Sequence, residues 1–213
     1  MIRTAPRSGH HAGLALAALA ALALAGCEDN PLVVKRSSCP AVAVAAYAGD
    51  VTLFRPGAPD VANLDVVASI TNVRDDCTEN ADQFLSRVNF DVVARRTDTG
   101  AARQVVLPMF VAVVQAGNVI NAKQMINVVV DFPAGQERAL GRGSANATVS
   151  RRAAAVSAEI LERINRDRKP GEIDAAVDPM SDPEVRAALR AASFEVLLGF
   201  QLDDRALAYN VAK

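Results

Sequence analysis

"SRVNFDVVAR" (residues 86–95) decides the fold. Val88, Phe90, Val92 and Ala94 fall on one side of an extended chain. Arg87, Asn89, Asp91 and Arg95 mostly fill the other. A period of two is the mark of a strand with one face buried and one wet. "RTDTGA" (96–101) follows with turn chemistry. Upstream, "LDVVASIT" (64–71) puts Leu64, Val66, Ala68 and Ile70 on one face, and "VTLFRPG" (51–57) reads as a short strand ending in a turn. Downstream, "RQVVLPMFVAVVQ" (103–115) is apolar on both faces, as a central strand is. Pro108 within it calls for a bulge or an edge position, because proline has no amide to give to a ladder. "AGN" (116–118) is a further turn, and Ile126, Val128, Val130 and Phe132 alternate again.

The period changes near Ser150. Ala153, Val156, Ile160 and Ile164 recur at three- and four-residue steps, which predicts a helix over 151–166. Glu159 with Arg163, and Glu162 with Arg166, have the favourable acid-first spacing of four. "KPGE" ends that helix. A second is expected from "SDPE" to about Ala192, with Ser181 and Glu184 at capping-box spacing. The chain closes with Phe194, Val196, Leu198, Phe200 and Leu202 alternating, a turn at Asp203-Asp204, and Leu207, Tyr209 and Val211 alternating back. That predicts a C-terminal hairpin. The fold expected is mainly β: one antiparallel β-sandwich domain over 39–213, with a helical insertion at about 150–192 before the hairpin. The arrangement resembles immunoglobulin-like or fibronectin type III-like envelope modules. The Trp that packs on the disulfide of antibody domains is absent.

The first 26 residues form three zones: a polar start with Arg3 and Arg7, an Ala/Leu run from Ala12 to Ala25, and small residues before Cys27. This is the layout of a secretory signal peptide. The apolar run falls short of the roughly 20 residues a membrane-spanning helix needs. Leu24-Ala25-Gly26-Cys27 resembles the lipobox of bacterial lipoproteins. The resemblance implies removal of 1–26, a diacylglyceryl group on the Cys27 thiol and acylation of the new amino terminus. Two or more acyl chains make a durable anchor where one does not. "EDNPLVVKRSS" (28–38) then reads as a tether of at most about 40 Å. The localisation implied is the bacterial envelope, with the outer membrane facing the periplasm as the default, since Glu28 and not Asp follows the cysteine.

Both histidines, His10 and His11, lie in the leader. The remaining 187 residues therefore cannot run Ser-His-Asp, Cys-His or His-ligated zinc chemistry. Arg3 and Arg7 also leave with the leader, so 21 of the 23 Lys and Arg remain against 24 acids. Nucleic acid is not an expected partner of so acidic a chain without a basic run. Once Cys27 is set aside, Cys39 and Cys77 remain. They read as one disulfide in an oxidising compartment, or otherwise as two free thiols.

Other candidates are weaker. "DDCTENAD" (75–82) gathers Asp75, Asp76, Glu79 and Asp82, which could hold calcium, but the spacing is not that of an EF-hand and no glycine marks a sharp turn. It reads as a solvated loop beside the disulfide. Asp174, Asp178 and Asp182 lie four apart among prolines, which suits turn and cap duty more than a catalytic pair. Lys123 reads as an exposed strand end, "NAT" (146–148) as an unused acceptor, and "GRGS" (141–144) as too short a phosphate loop. No catalytic residue, metal or cofactor is assigned. The expected partners are the membrane, through lipid on Cys27, and an envelope protein. The function expected is a non-catalytic binding or structural module. An auxiliary lipoprotein of a transport or secretion complex and a carboxylate-dependent enzyme are the alternatives.

Overall fold

The strip of Val88, Phe90, Val92 and Ala94 is the middle of strand β4 (Gln83–Arg96), and all four side chains are buried. The computed structural model describes residues 39–212 except 167 and 174. The leader, Cys27, the tether and Asp174 lie outside the described residues. Two four-stranded sheets form. One has the order β1 (Ala41–Val44), β8 (Phe194–Phe200), β5 (Arg103–Gln115), β6 (Val119–Phe132). The other has the order β2 (Asp50–Phe54), β3 (Leu64–Glu79), β4, β7 (Arg138–Ser150). Neighbours are antiparallel except β1, which runs parallel to β8. Inward side chains of both sheets meet in one core, with Val66, Val88 and Val92 facing Leu107, Met109, Val128, Val130 and Leu198.

Pro108 stands where β5 has run past the end of β8. Its carbonyl accepts from the Gln201 amide just beyond β8, and its ladder partner on the other side is Asn127 of β6. In an extended strand a residue's amide and carbonyl point the same way, so the missing N–H faces β5's locally open edge and costs the β5–β6 ladder nothing.

A bulge in β3 changes the phase of the strand. Thr71 pairs with Asp91, but Arg74 pairs with Asn89, and Asn72 takes the left-handed region at φ 54°. One extra residue exchanges the two faces. Val66, Ala68 and Ile70 point inward before it; Val73, Asp75 and Cys77 do so after it. Cys77 therefore faces the other sheet and is bonded to Cys39, with Cα atoms 6.3 Å apart. The expected loop at 75–82 is thus corrected. Asp75, Asp76 and Glu79 belong to β3, and the turn is confined to the residues around Asn80, whose side chain accepts from the amides of Asp82 and Gln83.

The C-terminal hairpin is overturned. Leu207, Tyr209 and Val211 lie on a helix, α3 (Asp204–Ala212). Asp203 starts it, its carboxylate accepting from the Ala206 amide at 2.7 Å. No return strand could pair with β8, because β1 and β5 already hold its two edges. The helix lies along β2 instead. Tyr209 meets Phe54 edge-on at 5.6 Å, and the buried Asn210 donates to the carbonyls of Tyr47 and Asp50.

Two helices lie between β7 and β8, as expected. The first is shorter than expected, α1 (Ala158–Asn165), capped by Ser157, so Ala153 and Val156 precede it. The second is α2 (Pro183–Ala191), and its N-cap is Asp182 rather than Ser181. Ile160 and Val185 are their buried residues.

Candidate functional site

The outward face of the β3–β4–β7 sheet can be read in rows across the register. Val67, Arg95 and Arg138 form one row; Ser69, Val93 and Leu140 form the next; Thr71, Asp91 and Arg142 follow. The first two rows, with Leu64 and Thr97, line an open groove of about 840 Å3. Its floor is apolar, with Val93 and Leu140 each close to half-exposed. Its rim is cationic. Arg95, paired with Glu137, and Arg138 stand on it. Such a floor and rim can hold an extended segment that sets apolar side chains beside carboxylates. Of the hydroxyls in its lining, Ser69 Oγ donates to Asp50 Oδ1 at 2.5 Å and Thr97 Oγ1 to the Leu64 carbonyl at 2.7 Å.

The groove sits at the end of the fold that Arg96 organises. Arg96 is inward-facing and only 2 % exposed, the bulkiest fully buried side chain among the described residues. A guanidinium does not lose its proton in a protein, so its burial must be met by acceptors. Nε donates to the Gln136 carbonyl at 2.8 Å, Nη1 to Ala101 at 2.7 Å, and Nη2 to Pro133 at 2.8 Å and Thr99 at 3.3 Å. The Phe132 ring lies 5.2 Å away beneath the cation. One side chain thus ties the β4–β5 loop to the β6–β7 loop and fixes the strand ends that carry Arg95 and Arg138.

β7, which sequence reasoning missed, completes the groove. Its inward residues before Val149 are Ala139, Gly141, Gly143, Ala145 and Ala147, too small to register as hydrophobic alternation. Smallness is what the position demands. A Cβ on Gly143 would fall 2.3 Å from the Phe90 ring, and one on Gly141 2.9 Å from Val128 and Val130. The "GRGS" stretch is therefore close sheet packing. A strand-length run of small residues alternating with Arg, Ser and Asn was the signal available.

The four carboxylates of 75–82 diverge. Asp76 faces outward and accepts from Asn89 at 3.1 Å; Glu79 pairs with Arg151 at 3.1 Å. Asp75 faces inward, where burial raises its pKa, a hydrogen bond from Ser86 lowers it and the Asp76 charge raises it; the net direction is upward. Its Oδ2 accepts from Ser86 Oγ at 3.4 Å, while Oδ1 is buried without a hydrogen-bond partner. Asp178 and Asp182 cap successive turns, accepting from the amides of Met180 and Glu184. Asp182 also pairs with Arg163 at 2.9 Å, which joins α1 to α2. Lys123 donates to Gln201 at 3.1 Å and lies 4.8 Å from the Phe110 ring, exposed on β6. Asn146 and Thr148 of "NAT" point outward from β7.

Comparison with protein-family models, with curated proteins and with solved structures finds no match to this chain.

Proposed function

We propose that the protein is a lipid-anchored module of the bacterial envelope that binds or braces another envelope component and performs no catalysis. The observation that carries this reading is Leu24-Ala25-Gly26-Cys27 at the end of a short apolar run behind two arginines. Acylation of Cys27 would hold the domain within the length of an eleven-residue tether from a membrane, the outer one by default. The Cys39–Cys77 bond is in keeping with an oxidising compartment. The arginine-rimmed groove supports a binding role, and its chemistry suits an envelope protein segment that is apolar and acidic together. Catalysis by histidine is closed to a chain with none beyond His11.

The domain itself reads as an immunoglobulin-like β-sandwich. What supports this is the pairing order: β4 beside β7 and β5 beside β8, in opposite sheets, with β6 continuing from β5. These correspond to the B–E and C–F pairs of that architecture, with a C′ strand beyond. The disulfide differs, since it ties the start of the domain to β3 and does not bridge the B and F strands.

Mass spectrometry of the protein from a bacterial envelope tests the anchor. The expected product begins at Cys27 and carries acyl mass, and Cys27→Ser leaves the leader uncleaved. A mature chain that starts elsewhere without acyl mass would overturn the proposal.

A further inference from the structure

The end of the fold that carries Cys39 presents exposed apolar side chains. Cys39 is bonded to Cys77 near the end of β3, and β1 begins two residues later beside the start of β8. The β5–β6 turn lies at the same end. The Ala116 amide donates to the Ser193 carbonyl, and Gln115 Nε2 donates to the Ala191 carbonyl, just where β8 begins. Leaving that turn, Val119 is 50 % exposed and Ile120 63 %. The helical insertion springs from this end too, between Ser150 of β7 and Phe194 of β8. Its α1–α2 connection leaves Ile173 wholly exposed, with Val177 and Met180 close to half-exposed. The opposite end carries the loops that Arg96 gathers, together with the exposed Val61 and the half-exposed groove floor of Val93 and Leu140.

We infer that this end touches the lipid surface, with the β5–β6 turn and the α1–α2 connection seated in the bilayer interface. The domain is then held in one orientation and is not merely tethered. The inference rests on the anchor at Cys27. The occupant is lipid because of where the tether ends. Eleven residues separate Cys27 from Cys39, and eleven residues reach at most about 40 Å. Cys39 is pinned by its disulfide to the end that carries the β5–β6 turn, so that end stays nearest the membrane. Tethering at such range gives an effective concentration in the millimolar range, so a few apolar side chains suffice to keep the contact. The contact is chiefly apolar. Arg151 is paired with Glu79, Arg163 with Asp182 and Glu184, and Arg166 with Glu172, while Arg152 and Lys169 are exposed cations of the same insertion. It should form on zwitterionic lipid and withstand salt.

The chain has no tryptophan, so one introduced Trp is a sole reporter. Full-length acylated protein carrying Ile120→Trp would be reconstituted in phosphatidylcholine vesicles, with and without brominated acyl chains. Ile173→Trp serves as a second probe and Leu140→Trp, in the groove at the far end, as the control. The expected result is at least two-fold quenching and a blue shift for Ile120→Trp and Ile173→Trp, unchanged in 0.5 M salt, with Leu140→Trp unquenched. Acylated, vesicle-bound protein in which Ile120→Trp and Ile173→Trp are quenched no more than Leu140→Trp would overturn the inference and leave the anchor standing. A mature chain without acyl mass that does not bind the vesicles would overturn the anchor, and this inference with it.

Discussion

Arg96 and Asp75 both point inward from adjacent strands, toward opposite ends of one sheet, and their surroundings treat them differently. Arg96 meets four backbone carbonyls and the face of Phe132. Asp75 has one hydroxyl at 3.4 Å and a carboxylate oxygen with no hydrogen-bond partner. A charged group in a strand's core face is structural when the neighbouring loops bend to satisfy it, and a liability when they do not. One end of the fold is thus locked by a cation. The other is held by a covalent bond beside a poorly satisfied anion. Four changes, taken from the largest expected effect to the smallest, test that contrast.

Arg96→Ala should cost about 3–5 kcal/mol, because it strips buried carbonyls on two loops of their donor and opens a void against Phe132. Arg95→Ala, one residue away and facing water, loses a surface ion pair and should stay within about 0.5 kcal/mol. Urea midpoints of the two variants decide it; equal losses would mean that the loops do not depend on the cation. Arg96→Met sharpens the point. If it recovers most of the stability, the side chain's volume matters and its hydrogen bonds do not.

Removing the disulfide as Cys39→Ser with Cys77→Ser should cost about 2–4 kcal/mol, as expected for a bond closing a separation of 38 residues. The loss should concentrate in β1, a four-residue edge strand that follows the bond directly. Hydrogen exchange should show β1 amides losing protection first, while the loops around Arg96 keep theirs. Uniform loss over both ends would erase the contrast.

Asn210→Ala should cost about 1–2 kcal/mol, since two carbonyls lose a buried donor. Thermal melts should remain cooperative, because β8 keeps both its neighbours. This separates the helix from the hairpin expected of the sequence, where losing the last strand would bare a core edge.

How much of this was legible depended on side-chain size and on phase. β4, the first half of β3 and the later part of β6 announce themselves because large apolar residues alternate with polar ones. β7 alternates just as regularly, but all its inner residues except Val149 are Ala and Gly, which close sheet packing requires and hydropathy does not detect. In the last strand-like stretch, three apolar residues at 207, 209 and 211 fit a strand; the capping carboxylate of Asp203 and the occupied edges of β8 made it a helix. The acidic stretch was misread because a single bulged residue reversed which side chains face inward, and that reversal depends on pairing with β4. The groove suffered twice: one wall of it, Arg138, Ala139 and Leu140, comes from β7, and the residue that shapes it, Arg96, sits where a strand runs into a turn and reads as solvated. Cys39 and Cys77 needed only elimination, and the structure joins them.

The smallest expected effect carries the most specific signature. Asp75 titrates above its usual range because burial, opposed by the Ser86 hydrogen bond and helped by Asp76, disfavours its charged form. The folded state therefore holds that proton to a higher pH than the unfolded chain does. Its contribution to stability is intact below the unfolded carboxyl value of about 3.9 and is lost as pH rises through the folded value. Asp75→Asn keeps the shape and removes the charge. At pH 7 it should raise Tm by about 2–4 °C, roughly 1 kcal/mol for a unit of this size. Near pH 3.5 both side chains are neutral in the folded state, and the gain should shrink toward zero. Every other titrating group is common to the two proteins, so the difference between their melting curves isolates this one. A gain independent of pH would mean that the carboxyl is not perturbed in the fold. A loss at pH 7 would mean that the free oxygen meets a partner in solution, and the anion would then be as well satisfied as the cation at the other end.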